Sequence, residues 1–233
     1  MGVMGRALDV ATAWTGSVFR LGAGLVAMHA GPRPDEPVVI YEFEGCPFCR
    51  KVREALTMLD LDAEIRPCPK DGPRFREEVI ERWGKSQFPV MVDPNAGDEM
   101  YESADIVRHL YRHYGDREAP LWAHSNITML GGTLASVVRV GHGSRYRPAR
   151  RPDKVLELYS FEASPFCRLA REALCELELP YILRNVGKRS GNRPAFIERS
   201  GKMMVPYLVD PNTDTEMFES ADIVRYLNDT YAL

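Results

Sequence analysis

Residues 41–56 (YEFEGCPFCRKVREAL) return at 159–174 (YSFEASPFCRLAREAL) with 11 of 16 positions unchanged. Residues 88–111 return at 205–228 with 15 of 24 unchanged. The offsets are 118 and 117, so the first copy holds one extra residue between the two blocks. A repeat of this length means two small structural units rather than one medium-sized domain. The likeness continues upstream, where 17–24 resembles 136–143 and Arg33-Pro34-Asp35 matches Arg151-Pro152-Asp153. The organisation expected is an N-terminal amphipathic helix and linker (1–34), a first domain (35–115), a connecting helix and basic linker (116–152) and a second domain (153–233).

Each unit reads as a mixed α/β domain. Val38–Tyr41 is a short β-prone run, and Pro47 suits the first turn of a helix. Phe48, Val52, Leu56 and Leu59 give that helix an apolar face. A second strand falls at Ala63–Arg66 and a polar helix at Arg74–Trp83. Phe88–Val92 and Glu99–Tyr101 are strands around the turn Asp93-Pro94-Asn95. Ser103 is placed to cap a last helix that turns Ile106, Val107 and Leu110 inward. The order is β-α-β-α-β-β-α, each unit preceded by a short helix. The second copy follows it, with a strand to Phe161, helices from Pro165 and Ser220, and strands at Val205–Val209 and Glu216–Phe218.

Cys46-Pro47-Phe48-Cys49 carries the chemistry. A thiol attacks disulfides as thiolate, and a free cysteine has a pKa of about 8.5. Cys46 stands at a helix start, where unpaired N–H groups favour the anion, and Arg50 and Lys51 one turn on are expected to add positive charge. Cys46 is the natural nucleophile, and Cys49, further inside, can resolve a mixed disulfide. One such pair cannot complete a four-cysteine zinc site. Five cysteines are too few, and odd in number, for a secreted disulfide scaffold. Cys68 and Cys175 have no counterpart in the other copy and read as core or surface thiols, with Cys68, between two prolines, the candidate for exposure. The histidines show no metal-ligand spacing: His109 and His113 are one turn apart, but two ligands are insufficient, so a solvated helix face and no metal are expected.

This order, with CPFC or SPFC at the first strand–helix junction, a Phe-Pro or Val-Pro opening the third strand and a Glu-Ser starting the last helix, resembles the thioredoxin superfamily. It is most similar to glutaredoxins and to the N-terminal domain of glutathione S-transferases. The resemblance implies a cis Phe88-Pro89 bond facing the cysteines, whose backbone would pair with glutathione. It makes Glu102-Ser103 the site for the γ-glutamyl group, and it allows Lys85 to meet the glycyl carboxylate. In the second copy Ser164 replaces the nucleophile, while Cys167, Val205, Pro206, Glu219 and Ser220 remain.

The function expected is therefore a glutathione-linked thiol–disulfide oxidoreductase, with the second copy a degenerate glutathione-binding or scaffolding unit. Two alternatives stand beside it. One is a binding module for glutathione, a peptide or a [2Fe–2S] cluster held by Cys46 with glutathione across a homodimer. The other is a glutathione transferase-like activity on an electrophile through Ser164. A net charge of −3 argues against a nucleic-acid partner, which would need a broad basic surface. The basic stretch Arg145, Arg147, Arg150, Arg151 reads as a solvated linker. Trp14, Val18, Leu21, Leu25 and Met28 form one helical stripe, expected to dock on the protein itself. The N-terminus lacks a continuous apolar span, so a cytoplasmic protein without an integral membrane segment is expected.

Overall fold

The computed structural model describes residues 24–121 and 141–233. The first unit runs β1 (Val38–Glu42), α1 (Pro47–Met58), β2 (Ala63–Pro67), α2 (Phe75–Trp83), β3 (Val90–Asp93), β4 (Asp98–Tyr101) and α3 (Ser103–Tyr114). The second repeats it as β5 (Leu156–Ser160), α4 (Pro165–Glu176), β6 (Tyr181–Asn185), α5 (Arg193–Ser200), β7 (Tyr207–Asp210), β8 (Thr215–Phe218) and α6 (Ser220–Tyr231). The β-α-β-α-β-β-α order is thus present twice.

Local chemistry explains most of these elements. β1 is a short apolar run and lies between two neighbours, parallel to β2 and antiparallel to β3. Pro47 opens α1, and Val52, Leu56 and Leu59 are fully buried against the sheet. Phe48 departs from the expected apolar face: it is 37% exposed, and its counterpart Phe166 is 44% exposed. Both copies therefore present a ring beside the motif instead of burying it. Gly84 ends α2 and Gly201 ends α5 in the left-handed conformation, the usual glycine helix stop.

The two sheets are one. The strand order is β4-β3-β1-β2-β6-β5-β7-β8, joined where β2 pairs antiparallel with β6. The register is Ala63↔Leu183, Glu64↔Ile182 and Ile65↔Tyr181. At the repeat offset, Glu64 faces its own counterpart, and Ala63 faces the counterpart of Ile65. The pairing is self-complementary, like an isologous dimer contact within one chain. Each unit covers the strand edge that the other would leave with unpaired backbone groups. One core results: Leu56, Leu61 and Ile65 belong to the same apolar cluster as Leu174, Leu179 and Leu183.

The upstream segments act as straps. The expected helix stripe at Trp14, Val18 and Leu21, and the residues 122–140, lie outside the described residues. Leu25 and Met28 lie within them and are not helical. Lys188 N donates to Leu25 O and Ala27 N to Lys188 O, both at 2.8 Å, after which Met28 N reaches Met58 O at 2.9 Å. Residues 144–149 mirror this. Lys70 N donates to Ser144 O at 2.6 Å, Tyr146 N to Lys70 O at 2.9 Å, and Arg147 N to Glu176 O at 2.7 Å. The basic stretch is therefore partly tied down rather than a free linker, because its backbone supplies partners to Lys70 at the end of β2. Among the described residues, no helix is long and apolar enough to cross a membrane.

Buried charge fills the junction beside this seam. Arg53 and Arg171 are each 1% exposed. Arg53 Nε donates to Glu162 at 2.9 Å, and Arg53 also holds Glu42 and lies 3.4 Å from Glu44. Arg171 returns the exchange, meeting Glu44 at 3.0 and 3.1 Å and Glu162 at 2.9 Å. Arg50 adds a contact to Glu162 at 3.4 Å. Counterparts face one another, except that Glu42 is matched by Ser160, which accepts from Arg171 at 3.2 Å.

The cluster sets a pH dependence. Burial alone would raise Glu162, but the charges of Arg171, Arg53 and Arg50 outweigh it and bring it to about 2. Burial pushes Glu42 up to about 7 against the pull of Arg53, with Glu44 and Glu162 adding to the rise. The contribution of Glu162 is present above its unfolded value of 4.5 and is lost as pH falls toward about 2. Glu42 acts oppositely: its folded state holds a proton that the unfolded chain releases at 4.5, so stability falls as pH rises from there through about 7. Urea midpoints should thus peak on the acidic side of neutrality, and Glu42→Gln should flatten the decline toward pH 8. A variant that declines as steeply as the wild type would refute the assignment to Glu42.

Candidate functional site

Cys46 occupies the N-cap of α1 with extended backbone, and its Sγ accepts from Cys49 N at 3.3 Å. Cys46 is 4% exposed and Cys49 is fully buried. A hydrogen bond from the Cys49 thiol holds Cys46 below the usual thiol range, helped against burial by the N–H groups of Cys49 and Phe48. Burial, then the neighbouring Cys46 and Glu42, drive Cys49 well above that range. The two sulfurs of one motif are driven in opposite directions, Cys46 toward the anion and Cys49 away from it. Arg50 does not play the part expected. It is 7% exposed and turns to Glu54 and Glu162 at 3.3 and 3.4 Å. Backbone N–H groups and the second thiol stabilise Cys46 instead.

Sheet register brings the other motifs to the same end. Tyr41 pairs with Val90, so Pro89 stands level with Glu42 at the end of β1. Phe88-Pro89 is cis, and the Phe88 ring meets Phe43 edge-on at 6.1 Å. Val90 pairs with Tyr101, which sets Glu102 beside Pro89. Glu102 has a φ of 67°, rare for a residue with a side chain, and accepts from the Gln87 amide. Ser103 is not the cap expected. Glu102 holds the cap position without a side-chain cap bond, and Ser103 is the first helical residue, 5% exposed. The first N–H groups of α3 therefore have neither an intrahelical acceptor nor a side-chain cap, the arrangement that suits a carboxylate ligand. Lys85 lies beside this corner, its ammonium 4.2 Å from the centre of the Tyr101 ring.

The second unit keeps the backbone and lacks the sulfur. Ser164 caps α4, its Oγ accepting from Cys167 N at 3.2 Å. Cys167 is fully buried, and burial raises it. Val205-Pro206 is cis, and Glu219 has a φ of 68° ahead of Ser220. Register again aligns these residues, through Tyr159↔Tyr207 and Tyr207↔Phe218. Lys202 stands over Phe218 at 4.5 Å as Lys85 does over Tyr101. Lys202 and Gln87 were missed at the level of sequence; aligning the repeat beyond its most similar blocks would have found the lysine.

Two features lie around the thiols. The first is the strap of the second unit: Gly45 N donates to Gly143 O at 3.3 Å, and a Cβ on Gly45 would come within 2.1 Å of Ser144 Oγ. A side chain there would have to displace the Ser144 hydroxyl, and the second unit carries Ala163 at the equivalent position. The second is Glu42, whose charge disfavours both thiolates and which the second unit replaces by Ser160. Cys68, read as a core or surface thiol, is fully buried, its N–H donating to Glu42 O at 2.6 Å. His109, expected on a solvated face, is 6% exposed.

The strand–helix order and the helix-capping position beside a cis proline define a thioredoxin-superfamily domain. The profile of the glutathione S-transferase N-terminal domain matches residues 40–118 and again residues 158–233. The chain belongs to that family and carries its domain in tandem. Among solved structures, a glutathione transferase of Bombyx mori is 25% identical over 37% of this chain and 39% of its own, with a TM-score of 0.33. A glutathione transferase from Leishmania, described as trimeric, is 14% identical over 85% of this chain and 67% of its own, with a TM-score of 0.30. The chain spans about two fifths of the Bombyx mori protein. No curated protein matches.

Proposed function

We propose that this protein is a glutathione-linked thiol–disulfide oxidoreductase working through Cys46. The observation that carries the reading is the division of labour inside one helical turn. Cys46 is held as the better anion by a thiol and by helix N–H groups, while Cys49 keeps its proton. The Cys46 thiolate attacks one sulfur of a glutathione mixed disulfide, and the other sulfur leaves as thiolate. Cys49 then loses its proton, attacks Cys46 Sγ and expels the second thiolate, leaving a Cys46–Cys49 disulfide. Two electrons have passed from the pair to the substrate, and external glutathione returns them. The helix start at Ser103, with Glu102 and the Phe88 backbone, suits a γ-glutamyl-cysteinyl ligand.

The second unit is read as a scaffold. Its Arg171 and Glu162 neutralise Glu44 and Arg53 behind the active motif.

The pH dependence of alkylation tests the nucleophile. In a Cys49→Ser background the hydrogen bond from residue 49 can persist, and Cys46 should alkylate with a midpoint below the free-thiol value of about 8.5. That variant should also keep glutathione-dependent reduction of a glutathionylated peptide to within roughly tenfold, since one thiol suffices for that exchange. A midpoint at or above the free value, with no reduction of the peptide, would refute the reading.

A further inference from the structure

The first unit carries a cluster that the thiol chemistry does not use. His109, His113 and Asp98 place one donor atom each within 4.8 Å of one another. His109 and His113 sit one turn apart on α3 with their rings stacked at 4.2 Å, and Asp98 comes from the first position of β4. His109 is the anchored member. Its Nε2 lies 2.7 Å from Asp93 Oδ2, and Asp93 also accepts from Tyr114 Oη at 2.7 and 2.8 Å and from Asn95 N at 3.0 Å. Asp93 is placed to accept a hydrogen bond from His109 Nε2–H, the tautomer that turns the Nδ1 lone pair toward a ligand. Nδ1 is 3.5 Å from Asp98 Oδ2. That is long for a hydrogen bond. Two donors on one tetrahedral zinc, each about 2.1 Å from the metal, lie about 3.4 Å apart.

We propose that Asp98, His109 and His113 form a surface site for a divalent transition-metal ion of the zinc type, with Asp93 orienting His109 from behind. Two imidazoles and one carboxylate are a zinc-like donor set, and a fourth position remains for water. His113 and Asp98 are exposed and free to close on the ion by rotamer changes.

The second unit serves as an internal control. Its Tyr226 stands where His109 does and donates to Asp210 Oδ2 at 2.8 Å, so the inward anchor is common to both copies. What only the first copy adds is a second ring nitrogen and two outer donors: Thr215 and Thr230 replace Asp98 and His113. The outward-facing donor set is therefore not needed to hold the fold. Bound there, the ion would tie β4 to α3, the two elements that meet at Glu102.

The test is titration of the full metal-free chain with zinc by calorimetry, and with cobalt(II) by absorption. One ion per chain is expected, with cobalt d–d bands and no thiolate-to-cobalt charge transfer, which separates this site from the cysteines. His113→Ala and Asp98→Ala change exposed residues and should keep the wild-type circular dichroism. Each should weaken zinc at least about tenfold. Zinc should also raise the wild-type melting temperature and not that of His113→Ala. No uptake at 100-fold excess zinc, a thiolate band, or affinity unchanged in His113→Ala would overturn the proposal. So would full affinity in Asp98→Ala, which would reduce the site to an adventitious two-histidine contact.

Discussion

Cys46→Ser is expected to lower the reduction of a glutathionylated peptide by a factor on the order of a thousand or more, because a hydroxyl near neutral pH supplies almost no anion. The substitution is informative because it writes into the first unit the SPFC that the second unit already has. Ser164 shows that serine fits this cap, accepting from Cys167 N at 3.2 Å where Cys46 accepts from Cys49 N at 3.3 Å. Stability should accordingly stay within about 0.5 kcal/mol of the wild type. Loss of activity with an unchanged urea midpoint assigns the loss to the sulfur. Retained turnover would end the case for Cys46. The reciprocal Ser164→Cys tests whether the second unit lacks only a nucleophile. Its helix start is equivalent, and the carboxylate that disfavours the thiolates of the first unit is absent there. Peptide reduction by the double variant Cys46→Ser, Ser164→Cys would show that a complete site survives in the second copy; none would confine that copy to its scaffolding role.

The second large effect is on stability. Arg53→Met should cost about 3–5 kcal/mol, the range for breaking a buried ion pair by removing one partner. It leaves Glu42, Glu44 and Glu162, all nearly inaccessible, with Arg171 as the fully buried cation between them. Against a total of about 5–15 kcal/mol for a typical domain, such a loss approaches unfolding. Arg53→Lys, which keeps a charge and forfeits the fork, should fall between the two. Urea denaturation measures all three. A cost under about 1 kcal/mol for Arg53→Met would mean that water, rather than the second unit, compensates these carboxylates. Because Arg53 bonds to Glu162 across the junction, both units should unfold together in the wild type. Two separate transitions would count against the single shared core.

Much of this was legible in the residues. Val38–Tyr41, Pro47 and the spacing of Val52, Leu56 and Leu59 are local signals, and the elements formed where they pointed. The repeat makes each reading a double one, and the family profile matches both copies. The failures have a common cause. Residue type and neighbours place Phe48 inside and His109 outside, yet burial depends on what lies across the fold. Arg50 read as a charge for Cys46 because they are close in sequence, while its partner Glu162 is more than a hundred residues away. Ser103 read as a cap by composition, but the positive φ of Glu102 moved the helix start by one residue.

The sequence by itself determined that two thioredoxin-like units exist and that only one keeps both sulfurs. Helix periodicity, turn chemistry and a duplicated motif act over a few residues, where side-chain type is enough. Only the tertiary structure decided that β2 and β6 join the copies into one sheet, that four carboxylate and arginine counterparts meet at the junction, and that Asp98 stands beside two histidines. These depend on strand register and on pairs distant along the chain, whose energies arise from desolvating groups against partners that no local pattern names.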